Sequence, residues 1–506
     1  MRRYIVLICL IASGLYASAQ SEFDALRFSQ SDITGTARFV SMSGAFGALG
    51  GDMSAINTNP AGIGIYRSSE LSLSPAFQMD ATTTNLNGTD ANANRSNILM
   101  NGFGYVGSFR TYDESAISNF NFGVTYNRTA DFNRNTNVIG TGRKTSLVKE
   151  MCFMENWLLN NGSPYTTPYW NFMNMSSGGI KVLDETNTGY VSRVADNELS
   201  NSDMRMIESG GIDSWNFTLG ANYNHSLYVG LGIGLQQINY EKTTEYSEDF
   251  AINKGIDMHN ALTTTGSGIN LKVGVIYRPV PELRLGISYN SGTFYRMTDV
   301  FAASMASWGF KDLNDVTYPA TQQHIESEQY VDYILKSPWQ MTLSAAYQFG
   351  KKGLFSFDMD YVDNSSINLK DANGYEYTDI NKSMSQDFSK SFNFRVGGEV
   401  RLTDYFSARM GAAYYLSPLV SNLEDKFMDT PYTRPEYSMT KSTMYASMGV
   451  GYRSGSFFTD FAVQEKLIDE HFFNYYDDIS ITAGEPAYAS LTRDRVNLVV
   501  TAGVKF

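Results

Sequence analysis

Four histidines, His225, His259, His324 and His471, and a run of glycines at Gly44, Gly47, Gly50 and Gly51 are where catalysis, metal binding or phosphate binding would first be sought. The histidines form no H-E-x-x-H pattern and no close spacing with cysteine or carboxylate, so neither a zinc site nor a nucleophile-base pair is legible. His225 reads into a turn and the other three into separate loops. No catalytic residue, metal ligand or cofactor is assigned, and no His/Tyr pattern for haem ligation stands out. The glycines lie in SMSGAFGALGGDMSAINTNPAGIGIYR, Ser41–Arg67. That stretch has no Gly-Lys-Ser/Thr of a phosphate loop. No apolar strand precedes it with G-x-G-x-x-G spacing either, so the nucleotide reading fails.

What must position this stretch is legible on either side of it. Arg2 and Arg3 precede an apolar run from Tyr4 to Tyr16 and then Ala17-Ser18-Ala19, the pattern of a cleaved export signal over residues 1–19. Cleavage there removes Cys9, and Cys152 alone cannot form an internal disulfide. No later segment offers about 18 consecutive apolar residues, so the chain does not read as a helical membrane protein. A secreted soluble protein or a membrane β-barrel remains. The 33 Tyr, 31 Phe and 43 Gly, with only 12 Pro, favour the barrel, where aromatic girdles and small lumen residues are expected. A net charge of −13 disfavours nucleic acid and anionic lipid as partners.

From about residue 70 the apolar pattern has period two. Leu227, Val229, Leu231, Ile233 and Leu235 form one row against small or polar neighbours. Similar rows are Trp215 to Tyr223, Leu283 to Tyr289, and Trp339 to Phe349. Counting them predicts about fourteen strands, starting near Glu70, Asn97, Asn119, Asp213, Ser226, Gly266, Glu282, Pro338, Leu354, Ser389, Asp404, Ser442, Ser456 and Arg495. Connections alternate between short and long. Short ones include Asn224 to His225 and Gly350 to Gly353. Long ones fall at about 133–211, 240–265, 297–337, 364–388, 418–439 and 465–493. A soluble sandwich has no reason to place a long connection at every second junction, whereas a barrel with turns on one side and outer loops on the other does. The predicted class is an all-β transmembrane antiparallel barrel.

The last strand carries Val496, Leu498, Val500, Ala502, Val504 and Phe506 in one row and resembles the terminal signal read by barrel-assembly machinery. In the longest predicted loop, Met151, Phe153, Met154, Trp157 and Leu158 lie in a helix-compatible stretch, either a packed cap or a capture surface for ligand. With apolar rows outward, Arg284, Asp358, Asp360, Arg395, Glu399, Arg401, Arg409 and Arg453 face the lumen, where mutual pairing is the favoured reading and a path for a carboxylate-bearing amphiphile the alternative.

The residues Gly44, Gly47, Gly50, Gly51 and Asp52, with the Asn59-Pro60-Ala61-Gly62 turn, resemble the FadL/TodX family of outer-membrane transporters for hydrophobic compounds. The likeness in residues is confined to about 36–66. It implies a fourteen-strand barrel whose lumen is plugged by an N-terminal hatch, here 20–69, before a barrel over 70–506. It also implies passive uptake of a hydrophobic molecule, such as a long-chain fatty acid or aromatic hydrocarbon, with release through a lateral gap at an inward kink of the third strand. Burial of such a solute is favourable by about 25 cal/mol per Å². Glycine suits a segment squeezed against a wall. Asp52 is expected to cap a short helix from Met53 to Ile56. Phe39, Met42, Phe46, Leu49, Met53 and Ile56 line a ligand path or anchor the hatch. The hydrophobic ligand, the lipid and lipopolysaccharide of the membrane, and the assembly machinery are the expected partners.

Other classes fit less well. An open porin has no use for the turn-rich leader, and a TonB-driven receptor needs a larger plug and about 22 strands. A structural or adhesive barrel is the principal alternative, a haem receptor a weaker one.

Overall fold

The computed structural model describes residues 21–111, 116–161, 180–182, 189–250, 253–311, 321–324, 329–421, 423, 435–475 and 488–506. The predicted export signal lies outside them. Three short helices, α1 Glu22–Arg27, α2 Ala37–Ser41 and α3 Ala55–Thr58, and a 3-10 turn, Pro60–Ile65, precede the first strand.

Fourteen antiparallel strands then follow one another round a closed barrel. They are β1 Glu70–Leu86, β2 Thr89–Arg110, β3 Ile117–Asp131 continued by Arg134–Arg143, β4 Ser200–Tyr223 and β5 Leu227–Phe250. Next come β6 Lys254–Val280, β7 Leu283–Asn290 continued by Phe294–Trp308, β8 Gln329–Lys336 with Gln340–Phe349, and β9 Gly353–Asp363 with Asn368–Asp371. The last five are β10 Lys390–Arg401, β11 Phe406–Tyr415, β12 Tyr437–Ser454, β13 Phe457–Phe473 and β14 Ala489–Lys505. Each pairs with its neighbour, and β1 closes the circle on β14 with Glu70 opposite Lys505. Closure leaves no edge at the closing pair, which lipid could not satisfy. Two further helices lie in outer connections: α4 Leu147–Asn161 and α5 Thr378–Asp387.

β5 shows why the strands form and where the membrane ends. Val229, Leu231, Ile233 and Leu235 point outward and are exposed, while Tyr228, Gly230, Gly232 and Gly234 point inward and are buried. Beyond Gln236 the phase of the chemistry reverses without any change in the backbone. Asn239, Glu241, Thr243, Glu245 and Asp249 now take the outward positions, and the inward row mixes Ile238, Tyr240, Tyr246 and Phe250 with Lys242, Thr244 and Glu248. The apolar belt that faces lipid therefore ends near Gln236, and the barrel continues outside it as a water-washed extension with a large apolar cluster inside. At the inner end Asn224 and His225 adopt φ of 50° and 55°, which suits the tight hairpin predicted there.

The extension corrects several expected boundaries. The connection expected at 240–265 is strand: β5 runs to Phe250 and β6 starts at Lys254. The loop expected at 133–211 shrinks because β3 continues to Arg143 and β4 begins at Ser200. His259 and His471 lie on strands rather than in loops, and His324 belongs to a short strand paired with the outer end of β7. The helix expected in the longest loop is present as α4.

Buried apolar side chains form one large cluster in the outer half, joining α1 and α4 to the inward rows of the wall. Leu147, Val148, Met151, Cys152 and Met154 of α4 belong to it, as do Met204, Met206, Met258, Met297 and Met305 of the wall. Burial pushes the Cys152 thiol up to about 11, so it stays protonated.

Candidate functional site

The N-terminal segment runs up and down inside the lumen as a hatch, and its turns are fixed by local polar chemistry. Thr36 caps α2, its hydroxyl accepting from the Phe39 amide at 3.2 Å. Asp52 does not cap a helix from Met53. Its carboxylate accepts from the Thr36 hydroxyl at 2.8 and 2.9 Å and from the Ser54 amide at 2.9 Å, and the helix begins at Ala55. A different element, the 3-10 turn, is capped by Asn59, whose Oδ1 accepts from the Ala61 amide at 3.0 Å while Pro60, which has no N–H to satisfy, opens the turn. Gly50 and Gly51, at φ 56° and 65°, fold the chain back so that Gly51 N–H donates to Gly62 O at 3.1 Å.

A ring of inward-facing wall glycines accepts the hatch backbone. A Cβ on Gly230 would stand 2.3 Å from the Pro60 carbonyl carbon, one on Gly274 1.9 Å from Asn59 Oδ1, and one on Gly411 2.3 Å from the Met42 carbonyl carbon. The polar residues around these glycines complete the fit. Asp358 Oδ2 accepts from the amides of Phe46 and Gly47 at 3.0 and 2.9 Å, and Asn59 Nδ2 donates to Gly47 O and to Val275 O on β6 at 2.8 and 3.3 Å. Arg284 donates to Leu49 O at 2.7 Å and Ser288 to Thr58 O at 2.7 Å. Gly44, at φ 75°, turns the chain after α2, and Ala61 is buried against Tyr228 and Ile276.

All six apolar hatch residues are buried. Phe39, Met42, Phe46 and Leu49 pack with Ala346, Ala413 and Tyr445 of the wall, and Met53 and Ile56 with Ile63, Tyr66 and Val106. Contact with wall atoms is what an anchoring role requires. Leu49 also lines a cavity on the inner side of the hatch and Phe39 one on the outer side.

Of the eight expected lumen charges, Asp358, Asp360, Arg395, Glu399 and Arg409 pair as the favoured reading expected, whereas Arg284 and Arg453 have no ion-pair partner among the described residues. Arg395 donates to Asp360 at 2.7 Å and lies 3.5 Å from Asp358; Arg409 bridges Glu399 at 2.6 Å and Asp460 at 2.5 Å; Glu399 also holds Arg38 of the hatch at 3.0 Å. Arg401 is instead exposed at the inner rim, 3.8 Å from Asp404. Higher up, Asp32 of the hatch is gripped by Lys466 at 2.5 Å and approached by Arg495 at 3.5 Å. These two cations and Asp32 were not singled out from the sequence, since their separations exceed 400 residues.

Above the hatch lies a chamber of about 160 Å³ lined mainly by hydroxyls and amides. Lys272 reaches into it, buried, with no carboxylate within ion-pair distance among the described residues. Its ammonium donates to Asn216 Oδ1 at 3.0 Å and to Asn57 Oδ1 of the hatch at 3.3 Å.

The wall beside the chamber has a seam. β2 and β3 form a ladder only from Gly102 opposite Asn127 down to Arg110 opposite Asn119. Above it side chains bridge the two strands, with Asn135 and Asn137 donating to the carbonyls of Asn94 and Asn92 at 3.0 and 3.1 Å. The register of β3 shifts between Arg128 and Ala130, and the hatch takes over as partner there, Asp32 N–H donating to Thr129 O at 2.7 Å. Outside the chamber, Met151 and Met154 are buried and Phe153 is half-buried, while the side chains of Trp157 and Leu158 lie outside the described residues.

No protein-family model and no curated protein matches this sequence. Solved structures do. A FadL homologue from Pseudomonas aeruginosa matches at a TM-score of 0.52 and 14% identity, over 94% of this chain and 100% of that one. The chain has the FadL-type barrel fold. The toluene transporter TodX of Pseudomonas putida matches at 0.51 and 12%, over 95% of this chain and 100% of that one. FadL-type structures are outer-membrane β-barrels, and at these identities the likeness is one of fold. The hatch accordingly sits where a fourteen-strand barrel of this type would otherwise be open.

Proposed function

We propose that this chain is a passive outer-membrane channel for hydrophobic small molecules such as long-chain fatty acids or aromatic hydrocarbons, exported by a cleaved signal and inserted through its Phe506-terminated last strand. One observation carries the reading. Beyond the lipid belt the inward row of β5 takes up Ile238, Tyr240, Tyr246 and Phe250, and a large methionine-rich apolar cluster fills much of the outer half above the polar waist. The TodX structure is that of a toluene transporter, which supports the same class of cargo.

On this reading a solute leaves water and the lipopolysaccharide layer for the outer interior, gaining roughly 25 cal/mol per Å² of buried apolar surface. Of the expected capture stretch, half-buried Phe153 is the side chain open to a solute, and the buried Met151 and Met154 back it within the apolar cluster, where methionine adapts to varied shapes. Release follows displacement of the hatch, which Gly47, Asn59, Pro60 and Ala61 seat against the wall while Gly44, Gly50, Gly51, Asp52 and Gly62 shape its own turns. The seam between β2 and β3 is the proposed lateral exit, because hatch and β3 share hydrogen bonds there. The polar chamber and the unpaired Lys272 favour, as a second reading of the cargo, an amphiphile with its head group inward.

The test is removal of residues 20–69. The shortened barrel, reconstituted in planar bilayers, should conduct while the full chain stays closed. Equal conductance of the two would sink the hatch assignment, and failure of any hydrophobic ligand to co-purify or bind would favour the adhesive reading.

A further inference from the structure

Beneath the hatch, at the end of the barrel with the short turns, two adjoining cavities of about 350 and 340 Å³ share Arg38, Gln348, Leu354 and Lys505. Between them they are lined by eight basic side chains and four acidic ones, on a chain whose net charge is −13. The lateral-release reading makes no use of this mouth.

Three of the four lining carboxylates are already engaged. Glu399 holds Arg38 and Arg409 at 3.0 and 2.6 Å, Asp460 holds Arg409 at 2.5 Å, and Asp404 lies 3.8 Å from Arg401. Lys505 is taken by Glu70 at 2.9 Å. Among the described residues Arg67, Arg284, Lys351 and Arg453 are left without an ion-pair partner, with only Glu282 outside a pair on the acidic side. Nor are the free cations scattered. Arg38 and Arg67 lie close enough to Arg284 to repel it, and Arg453 feels Arg38 on one side against the carboxylates of Asp460, Glu70 and Glu399 on the other. Two of them are held in place by other means, Arg284 by its bond to Leu49 O at 2.7 Å and Arg453 by the Phe458 ring 5.8 Å away. Like charges gathered in a concave, partly desolvated mouth repel one another unless an anion sits between them. Guanidinium groups match the oxygen spacing of carboxylate and phosphate.

We propose that this inner mouth is an oxyanion-binding vestibule, taking a phosphate or carboxylate either free or as the head group of a lipid. The site is independent of the proposed hydrophobic cargo, and hatch removal tests that cargo route separately.

Isothermal titration of the full chain in neutral detergent would use inorganic phosphate in one arm and dihexanoyl phosphatidylglycerol, against dihexanoyl phosphatidylcholine, in the other. Binding in either arm should weaken at least tenfold in Arg284→Gln with Arg453→Gln, and should weaken in the wild type as salt rises. Tighter binding in the first arm identifies a free anion and in the second a lipid head group. Because Arg284 also touches the hatch, Arg453→Gln with Lys351→Gln provides a variant that leaves the plug alone, and heat-modifiable gel mobility confirms the fold. Equal binding by wild type and both variants, or no binding in either arm, overturns the proposal.

Discussion

The lipid belt and the outer extension are built from the same strands, yet they solve opposite problems. In the belt, β5 shows Val229 to Leu235 to lipid and turns Gly230 to the hatch backbone and Gly232 and Gly234 to polar wall side chains. In the extension it shows Asn239 to Asp249 to water and Ile238, Tyr240, Tyr246 and Phe250 to helices α1 and α4. The outward row follows whatever solvent surrounds it, and the inward row follows whatever fills the lumen. Burial thus sets the chemistry of each face independently of strand geometry, which continues unbroken through the change.

The largest effect is expected where the belt interior meets the hatch. A valine at Gly230 would put its Cβ 2.3 Å from the Pro60 carbonyl carbon, against backbone on both sides. Overpacking of this kind costs on the order of 3 kcal/mol, and the hatch is the part able to move. Gly230→Val should therefore raise the conductance of the full chain towards that of the hatchless barrel. A wholly closed channel would show that the wall, not the plug, gives way. A valine at Gly455, on an open turn with nothing near its Cβ, tests only that glycine's φ of 59° and should leave conductance unchanged.

The outward row of β5 supplies the next test, since it compares the two halves at the same phase of one strand. Leu231→Arg places a cation in mid-belt and should cost about 2–4 kcal/mol of barrel stability. Thr243→Arg, twelve residues further along on the same face, meets water and should change stability by no more than about 0.5 kcal/mol. Denaturant titration of the reconstituted barrel reads both. Similar losses would mean that lipid reaches Thr243 and that the belt ends higher than Gln236.

The comparison also explains what the sequence reveals. Strand number and the order of short turns are legible because lipid imposes the same outward row on every strand, and that row can be read locally. The stretch 240–265 reads as loop because the apolar row changes face beyond Gln236, so a strand with outward Glu241 and Glu245 loses the signature of the belt. Asn59-Pro60-Ala61 is legible as a turn because the proline and its capping amide are neighbours in the chain. Its fit to Gly230 and Gly274 is not, since each glycine sits alone in a different strand and looks like any small lumen residue. Asp358 shows the same limit, being separated from the Phe46 and Gly47 amides by more than 300 residues. Asp52 misleads for a related reason: it accepts from the Ser54 amide as a cap would, but it also binds Thr36, which lies 16 residues away, and the helix starts only at Ala55.

The smallest effect separates the halves by pH. In the extension Glu248 is buried, and its Oε2 accepts from the Leu147 amide at 3.0 Å, so it holds the first turn of α4. Burial outweighs the help of that amide, of Ser200 and of nearby Arg143 and Lys149, and pushes the carboxyl up to about 8. A raised carboxyl keeps its proton in the docked state after the undocked state has lost it. The docked state therefore binds more protons between about pH 4.5 and 8, and docking weakens as pH rises through that window. Hydrogen exchange in Leu147–Asn161 should be slower at pH 5 than at pH 8, after correction for the intrinsic rate. Glu248→Gln keeps the acceptor oxygen and removes the titration, so it should flatten that difference while leaving the lipid belt untouched. A pH response that survives the substitution would assign the effect to another group and leave Glu248 as a fixed acceptor for the helix.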